Sequence, residues 1–306
     1  MIDKATDESI RRAATIIRQG GLVAFPTETV YGLGVNALDQ EAVKRLFGVK
    51  ERPFASPLIV HVSDEEMART VTAEWPPLAH KLARCFWPGP LTMVIRKAAI
   101  VPDLVTAGLD SVGVRVPAHA VALALIRRAG VPIAAPSANR FTELSPTTAE
   151  HVQAGLGDRI EMILDAGQTQ VGIESTVVSL RRDQPTILRP GMISQSELEA
   201  VTRVRWEREV DLPHIKEGAE SPGQHPRHYA PRTPFYVLEF GAPKPSGRGR
   251  VLSMPQDRDA YAASLYSVLH QADAEGLDWI AVEKPPETPE WAGILDRLRR
   301  ASTSRE

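Results

Sequence analysis

Cysteine is all but missing. Cys85 stands alone in 306 residues, which excludes an intrachain disulfide and a cysteine-built zinc site. A surplus of either charge is missing too. The formal net charge is -2, so the chain has no global attraction to nucleic acid or to an anionic membrane, and any phosphate site must be local. No apolar run reaches the length of a membrane helix, and the opening MIDKATDESI has no signal-type apolar core. A soluble, cytoplasmic protein is the expectation. No GxxxxGK[ST] loop and no Ser-His-Asp order with a nucleophile elbow occurs. The close histidine pair of HPRH, His225 and His228, lies in a linker, and no dedicated metal cage is expected. Anion recognition is left to scattered Arg, Lys, Ser, Thr and Asn side chains.

The chain is organised around Gly21–Val62. Two apolar runs, Leu22–Phe25 and Leu58–Val62, each lead into dense polar punctuation and read as buried strands. Between them lie Thr27-Glu28-Thr29, two glycines, a helical pattern and the cations Lys50 and Arg52. Turns after such strands are where open α/β sheets place ligands, so this stretch reads as half of an anion site. Lys50 and Arg52 are expected to face solvent, as phosphate ligands or as a solvated helix end.

Helical spacing places Ile10, Ala13, Ala14 and Ile17 on one face of a helix over Asp7–Gly20. Asp39 caps the next helix, and Ser63 with Glu66, Thr147 with Glu150 and Ser194 with Glu197 read as capping boxes. Further strands are expected at Leu91–Ile95, Val112–Val116, Ile133–Ala135, Met162–Leu164, Thr176–Leu180 and Thr186–Leu188, the last two as a hairpin. Irregular alternation of strands and helices suits a twisted mixed sheet flanked by helices. The pattern dissolves between Val204 and Arg232. Beyond it, strands at Phe235–Phe240, Val251–Met254 and Asp278–Val282, with helices at Asp259–Ala274 and Trp291–Arg300, suggest a small three-layer α/β domain. About seventy residues make a thin core that leans on the first domain. The domains read as 1–203, a linker at 204–232, and 233–306.

Arg115 stands inside the apolar strand VGVRVP. A charge there needs a partner, and either a bound carboxylate or a structural ion pair satisfies it. His61 on its strand reads as a core residue or a ligand. The HPRHYAP segment is too rich in Arg, His and Tyr for a simple tether and reads as a lid.

Together these pieces resemble the YrdC-like family of threonylcarbamoyl-adenylate synthases, in its long form. The resemblance rests on FPTETVYGLG at Phe25–Gly34, KxRP at Lys50–Pro53, PLIVHV at Pro57–Val62, WPGPLT at Trp87–Thr92 and VGVRVP at Val112–Pro117. It continues through PSAN at Pro136–Asn139, SPT at Ser145–Thr147, ESTVV at Glu174–Val178 and LRPG at Leu188–Gly191. It implies a YrdC-like mixed sheet with a small Rossmann-like C-terminal domain. The implied chemistry joins L-threonine, bicarbonate or CO2, and ATP to give threonylcarbamoyl-AMP and pyrophosphate. A partner transferase then passes the threonylcarbamoyl group to tRNA beside the anticodon, with weak direct tRNA contact at most. By family position, Thr29, His61, Arg115, Ala135 and Ser175 surround L-threonine. Lys50, Arg52, Ser56, Ser111, Ser137, Asn139, Ser145, Arg189, His228 and Tyr229 hold ATP, with Lys50, Arg52, Ser137 and Asn139 also carrying the catalysis. Mg2+ is expected through the ATP phosphates. The sequence departs from the pattern at Glu51, expected to point outward, at Arg140–Leu144 after PSAN, and at Pro226. Two rival readings are a carbamoyl-adenylate or carbamoyl-transfer enzyme, and a non-catalytic double-stranded RNA-binding protein.

Overall fold

The computed structural model describes residues 1–181, 183–208 and 228–302. Most of the expected linker, including Pro222, His225, Pro226 and Arg227, lies outside the described residues. The first unit opens with β1 (Ile2–Lys4), α1 (Asp7–Arg18), β2 (Val23–Pro26), β3 (Tyr31–Asn36), α2 (Gln40–Lys50) and β4 (Ile59–His61). It continues with α3 (Glu65–Val71), α4 (Pro77–Phe86), β5 (Leu91–Arg96), α5 (Asp103–Thr106), β6 (Ser111–Arg115), α6 (Ala120–Ala129) and β7 (Ile133–Ala134). It closes with α7 (Ala149–Leu156), β8 (Met162–Asp165), β9 (Thr176–Ser179), β10 (Thr186–Arg189), α8 (Gln195–Thr202) and β11 (Glu207–Arg208).

These strands form one mixed sheet in the order β1-β8-β2-β3-β7-β4-β6-β5-β9-β10-β11. The expected hairpin is β9–β10, antiparallel with a register shift before Arg189. Strand alternation sorts the core onto two faces. On β2, Val23 and Phe25 pack with Ile10 and Ile17 of α1 and Leu125 of α6. Ala24, between them, joins the opposite cluster with Leu46 and Phe47 of α2. Gly34 is required where β3 crosses β2, because a Cβ there would sit 2.6 Å from the Phe25 ring. This packing makes the glycine-bearing segment a strand, which the sequence pattern does not indicate.

Two expected caps shift by one residue. Asp64, not Ser63, caps α3 by accepting from the Met67 amide, and Thr148, not Thr147, caps α7 by accepting from His151. The extended backbone of an N-cap falls at the second polar residue in each case, where the side chain can reach the third amide onward. Ser194 and Glu197 do form a capping box.

The second unit holds β12 (Phe235–Leu238), β13 (Gly249–Leu252), α9 (Arg258–Asp273), β14 (Trp279–Glu283) and α10 (Ala292–Ala301). Its three strands are parallel, in the order β12-β14-β13. Its core does not close on itself. Leu265, Tyr266, Ile280 and Ile294 share one apolar cluster with Val30, Leu144 and Ile173 of the first unit. Gly172 marks a close approach, since a Cβ there would lie 2.3 Å from the Ala262 carbonyl oxygen of α9.

Candidate active site

β4 and β6 run parallel with His61 beside Arg115. Both strands end on the same side of the sheet, where β9 begins and β10 ends. A cleft of about 540 Å3, part of it open to solvent, lies at these strand ends. Of the expected site residues, Thr29, Arg52, His61, Arg115, Ala135, Ser137, Ser175, Arg189, His228 and Tyr229 line it. Thr27, Ile59, Pro136 and Glu174 join them.

Arg115 is 4% exposed. Its Nη2 donates to Thr29 Oγ1 at 3.0 Å and its Nε to the Gly89 carbonyl at 3.2 Å. Glu28 approaches Nη2 at 2.7 Å. That contact is an ion pair in distance but lies off the N–H direction, because neither Glu28 oxygen has a hydrogen-bond partner among the described residues. The guanidinium is thus held in place by neutral acceptors with a carboxylate beside it. Both alternatives read from the sequence therefore remain compatible with one residue: it is ion-paired, and it faces the cleft. Burial, reinforced by the Arg115 charge, holds His61 down at about 3, so its imidazole is neutral at ordinary pH.

Arg189 ends β10 at 3% exposure. Its Nε and Nη2 donate to the Ser175 carbonyl at 3.2 and 3.0 Å, and Nη2 reaches Ser175 Oγ at 3.2 Å. Thr92 on β5 shares a hydrogen bond with the same hydroxyl at 2.8 Å. Arg52 donates to the Pro57 carbonyl at 3.0 Å and lies 5.7 Å from the Phe141 ring centroid. Burial lowers it to about 10, which leaves it charged near neutrality. His228 stacks edge-on against Phe141 and Tyr229. Burial, and then the Arg52 charge, push its imidazole well below the usual range.

The expectation that Lys50 and Arg52 face solvent is overturned, for both are buried, at 1% and 7% exposure. Glu51 takes a left-handed C-cap at φ 55° and pairs outward with Arg159 at 2.7 Å, and its two neighbours turn inward. The Lys50 ammonium donates to the Ser137 carbonyl at 2.6 Å and to the Asn139 carbonyl. It braces the PSAN turn from behind. Burial, then Arg52, drives its pKa well below the usual lysine value. Asn139 spends its amide on the Arg140 and Glu143 carbonyls, each at 2.8 Å, and so closes the atypical loop after PSAN. Ser145 donates to Glu174. Ser56 sits in a turn donating to the Pro53 carbonyl. Ser111 starts β6, four residues and roughly 13 Å of strand from Arg115. Lys50, Ser56, Ser111, Asn139 and Ser145 are absent from the cleft lining.

The sequence reading gives no role to Glu174, Thr92, Tyr266 or Arg297. Glu174 lies within ESTVV, and its carboxylate accepts from Ser145, from Tyr266 at 3.1 Å and from Arg297 at 2.7 Å. Arg297 had a usable signal: it interrupts the apolar stripe of the last helix, as Arg115 interrupts its strand. No group of three or more His, Cys, Asp or Glu suited to a metal ion occurs among the described residues.

Fold and cleft together define a two-unit α/β protein that gathers the buried guanidinium groups of Arg115, Arg52 and Arg189 around one cleft. The profile of the family described as "Telomere recombination" (Sua5, YciO and YrdC) matches residues 15–191, and that of "Threonylcarbamoyl-AMP synthase, C-terminal domain" matches residues 193–303. A threonylcarbamoyl-AMP synthase of Pyrococcus abyssi is 41% identical, covering 98% of this chain and 96% of its own length. One of Bacillus subtilis is 38% identical, covering 98% and 94%. The crystal structure of Pyrococcus abyssi Sua5 with L-threonine superposes with a TM-score of 0.89 at 38% identity, over 99% of this chain and 96% of that one. The chain belongs to the threonylcarbamoyl-AMP synthase family, in its form with a C-terminal domain.

Proposed function

We propose that this protein makes L-threonylcarbamoyl-AMP. The amine of L-threonine takes up bicarbonate, losing water, or CO2, to give a carbamate. A carbamate oxygen attacks the α-phosphorus of ATP, and pyrophosphate leaves. The observation that carries this reading is the Arg115 guanidinium, oriented by Thr29 and Gly89 and sharing one cleft with Arg52 and Arg189. A bound acid group fits Arg115's fork, and Ser175, Ala135 and neutral His61 border the same space. Arg52, Ser137, Arg189, His228 and Tyr229 take the nucleotide. Lys50 and Asn139 serve it by shaping the PSAN turn, and Ser145 by holding Glu174. Ser56 and Ser111 are the outlying members of the proposed ATP set. Catalysis is positioning and charge neutralisation in a shielded space.

Magnesium enters with ATP. The donor set suits this, because Glu174 already accepts from three donors and Glu28 lies against Arg115, leaving the phosphates as ligands. Of the expected lid, most of which lies outside the described residues, His228 and Tyr229 line the cleft. The product goes to a partner transferase acting on tRNA beside the anticodon, in the cytoplasm. A net charge of -2 favours at most weak direct RNA contact. No helix among the described residues is long and apolar enough to cross a membrane.

The test is pyrophosphate release from ATP and bicarbonate with and without L-threonine, with the product read by mass. Threonine-dependent release and a threonylcarbamoyl-AMP mass are expected. Threonine-independent release would support the carbamoyl-transfer alternative and overturn the proposal.

A further inference from the structure

We propose that Arg297, on the last helix of the chain, is a positioning residue for the nucleotide half of the cleft, acting through Glu174. The idea rests on the function proposed above. α10 docks closely enough that a Cβ on Gly293 would lie 2.5 Å from the Gly191 carbonyl oxygen. From that perch the fully buried Arg297 reaches across the boundary between the units. Its Nε donates to Glu174 Oε2 at 2.7 Å, its Nη2 to the Glu174 carbonyl at 3.2 Å, and its Nη1 to the Pro190 carbonyl at 2.9 Å. Its guanidinium carbon lies 5.2 Å from the Tyr229 ring centroid.

Tyr229 lines the cleft itself, and the backbone contacts lie one residue from Ser175 and Arg189. Glu174 precedes Ser175, and Pro190 follows Arg189. One guanidinium therefore fixes the backbone on both sides of the Arg189–Ser175 contact. Tyr229, under the same guanidinium, accepts from Arg189 at 3.4 Å. Charge adds a second effect. Glu174 lines the cleft with Arg189, which is assigned to the nucleotide, and a bare carboxylate there would repel the ligand's phosphates. Arg297 neutralises it, and Tyr266 and Ser145 complete its hydrogen bonds. Burial works against the Arg297 charge, but Glu174 and Asp296 hold it charged, above its ordinary value. The second unit thus contributes to the cleft without lining it.

The experiment measures ATP binding by equilibrium dialysis, and KM for ATP and for L-threonine, in Arg297→Met. About a tenfold or greater loss of ATP affinity is expected, with the threonine KM moved by no more than about threefold. Adding Glu174→Gln to Arg297→Met removes the uncovered charge and should recover most of the lost ATP affinity. Thermal melts of the same variants separate this from a role confined to docking the two units, in which ATP affinity would fall and recover only in step with the melting temperature. Tyr266→Phe keeps the packing and removes one donor, so it reads the same effect in reduced size, about two- to threefold, even if Arg297→Met fails to fold. ATP affinity within twofold of wild type in Arg297→Met or unchanged in Tyr266→Phe, or a double variant no better than the single one, overturns the inference. Dialysis requires no turnover, so a wild type that binds ATP but lacks threonine-dependent release would sink the proposed function and leave this result readable.

Discussion

Replacing Arg115 with Met removes one member of a buried pair whose side chains are 4% and 5% exposed. Glu28 is left as an uncompensated carboxylate, which costs about 3–5 kcal/mol. At the few degrees per kcal/mol usual for a chain of this size, the melting temperature falls by about 10 °C. Adding Glu28→Gln removes the stranded charge, so most of that loss should be recovered in the double variant. Threonine binding should behave differently. The fork that takes the acid group is gone in both variants, and a lost charge-assisted contact of about 1.5–3 kcal/mol weakens binding roughly ten- to hundredfold. Thermal melts and titration calorimetry with L-threonine read the two quantities separately. A double variant that regains stability but not threonine affinity is the expected result. If threonine binds it as tightly as wild type, Arg115 is a structural ion pair and the acid group is held elsewhere.

Three other outcomes follow from the same packing. His270 is held down at about 4 by burial, against an ordinary 6.5, so the unfolded chain binds the extra proton between these values. Stability is complete above about 6.5 and falls as pH drops through that window, by up to about 1 kcal/mol per pH unit, and melting curves of His270→Gln against pH should be shallower than wild type. Lys50→Met leaves the half-buried Ser137 and buried Asn139 carbonyls without their shared donor, costing about 1–3 kcal/mol, and dialysis should show ATP affinity lost with it; ordinary ATP binding would remove the PSAN brace. Gly172→Ala drives a methyl into α9 at a φ of +79° and should destabilise the docked units by about 2 kcal/mol or more, read as a lower denaturant midpoint.

The mixed sheet was legible because its strands are short apolar runs with clear punctuation. β3 was not, since Gly32 and Gly34 carry a turn signal that only the Phe25 ring across the sheet overrides. β1 is three residues with no pattern, and it exists only by pairing with β8. At the cleft, a charge in an apolar strand pointed to Arg115, which lines it. The burial of Lys50 and Arg52 was invisible, because it depends on Glu51 adopting a left-handed cap that sends its neighbours inward. Glu174 and Arg297 lie 123 positions apart, and no local pattern reports a pairing across that distance.

Glu174 belongs to the first unit but draws Tyr266 and Arg297 from the second, and the apolar cluster beneath is shared as well. Prising the two halves apart by heat would strand an acid group in a dry seam and expose half of a common interior at once. Neither half has an inexpensive intermediate in which it stands alone. Scanning calorimetry should therefore record one endotherm for the whole chain rather than two.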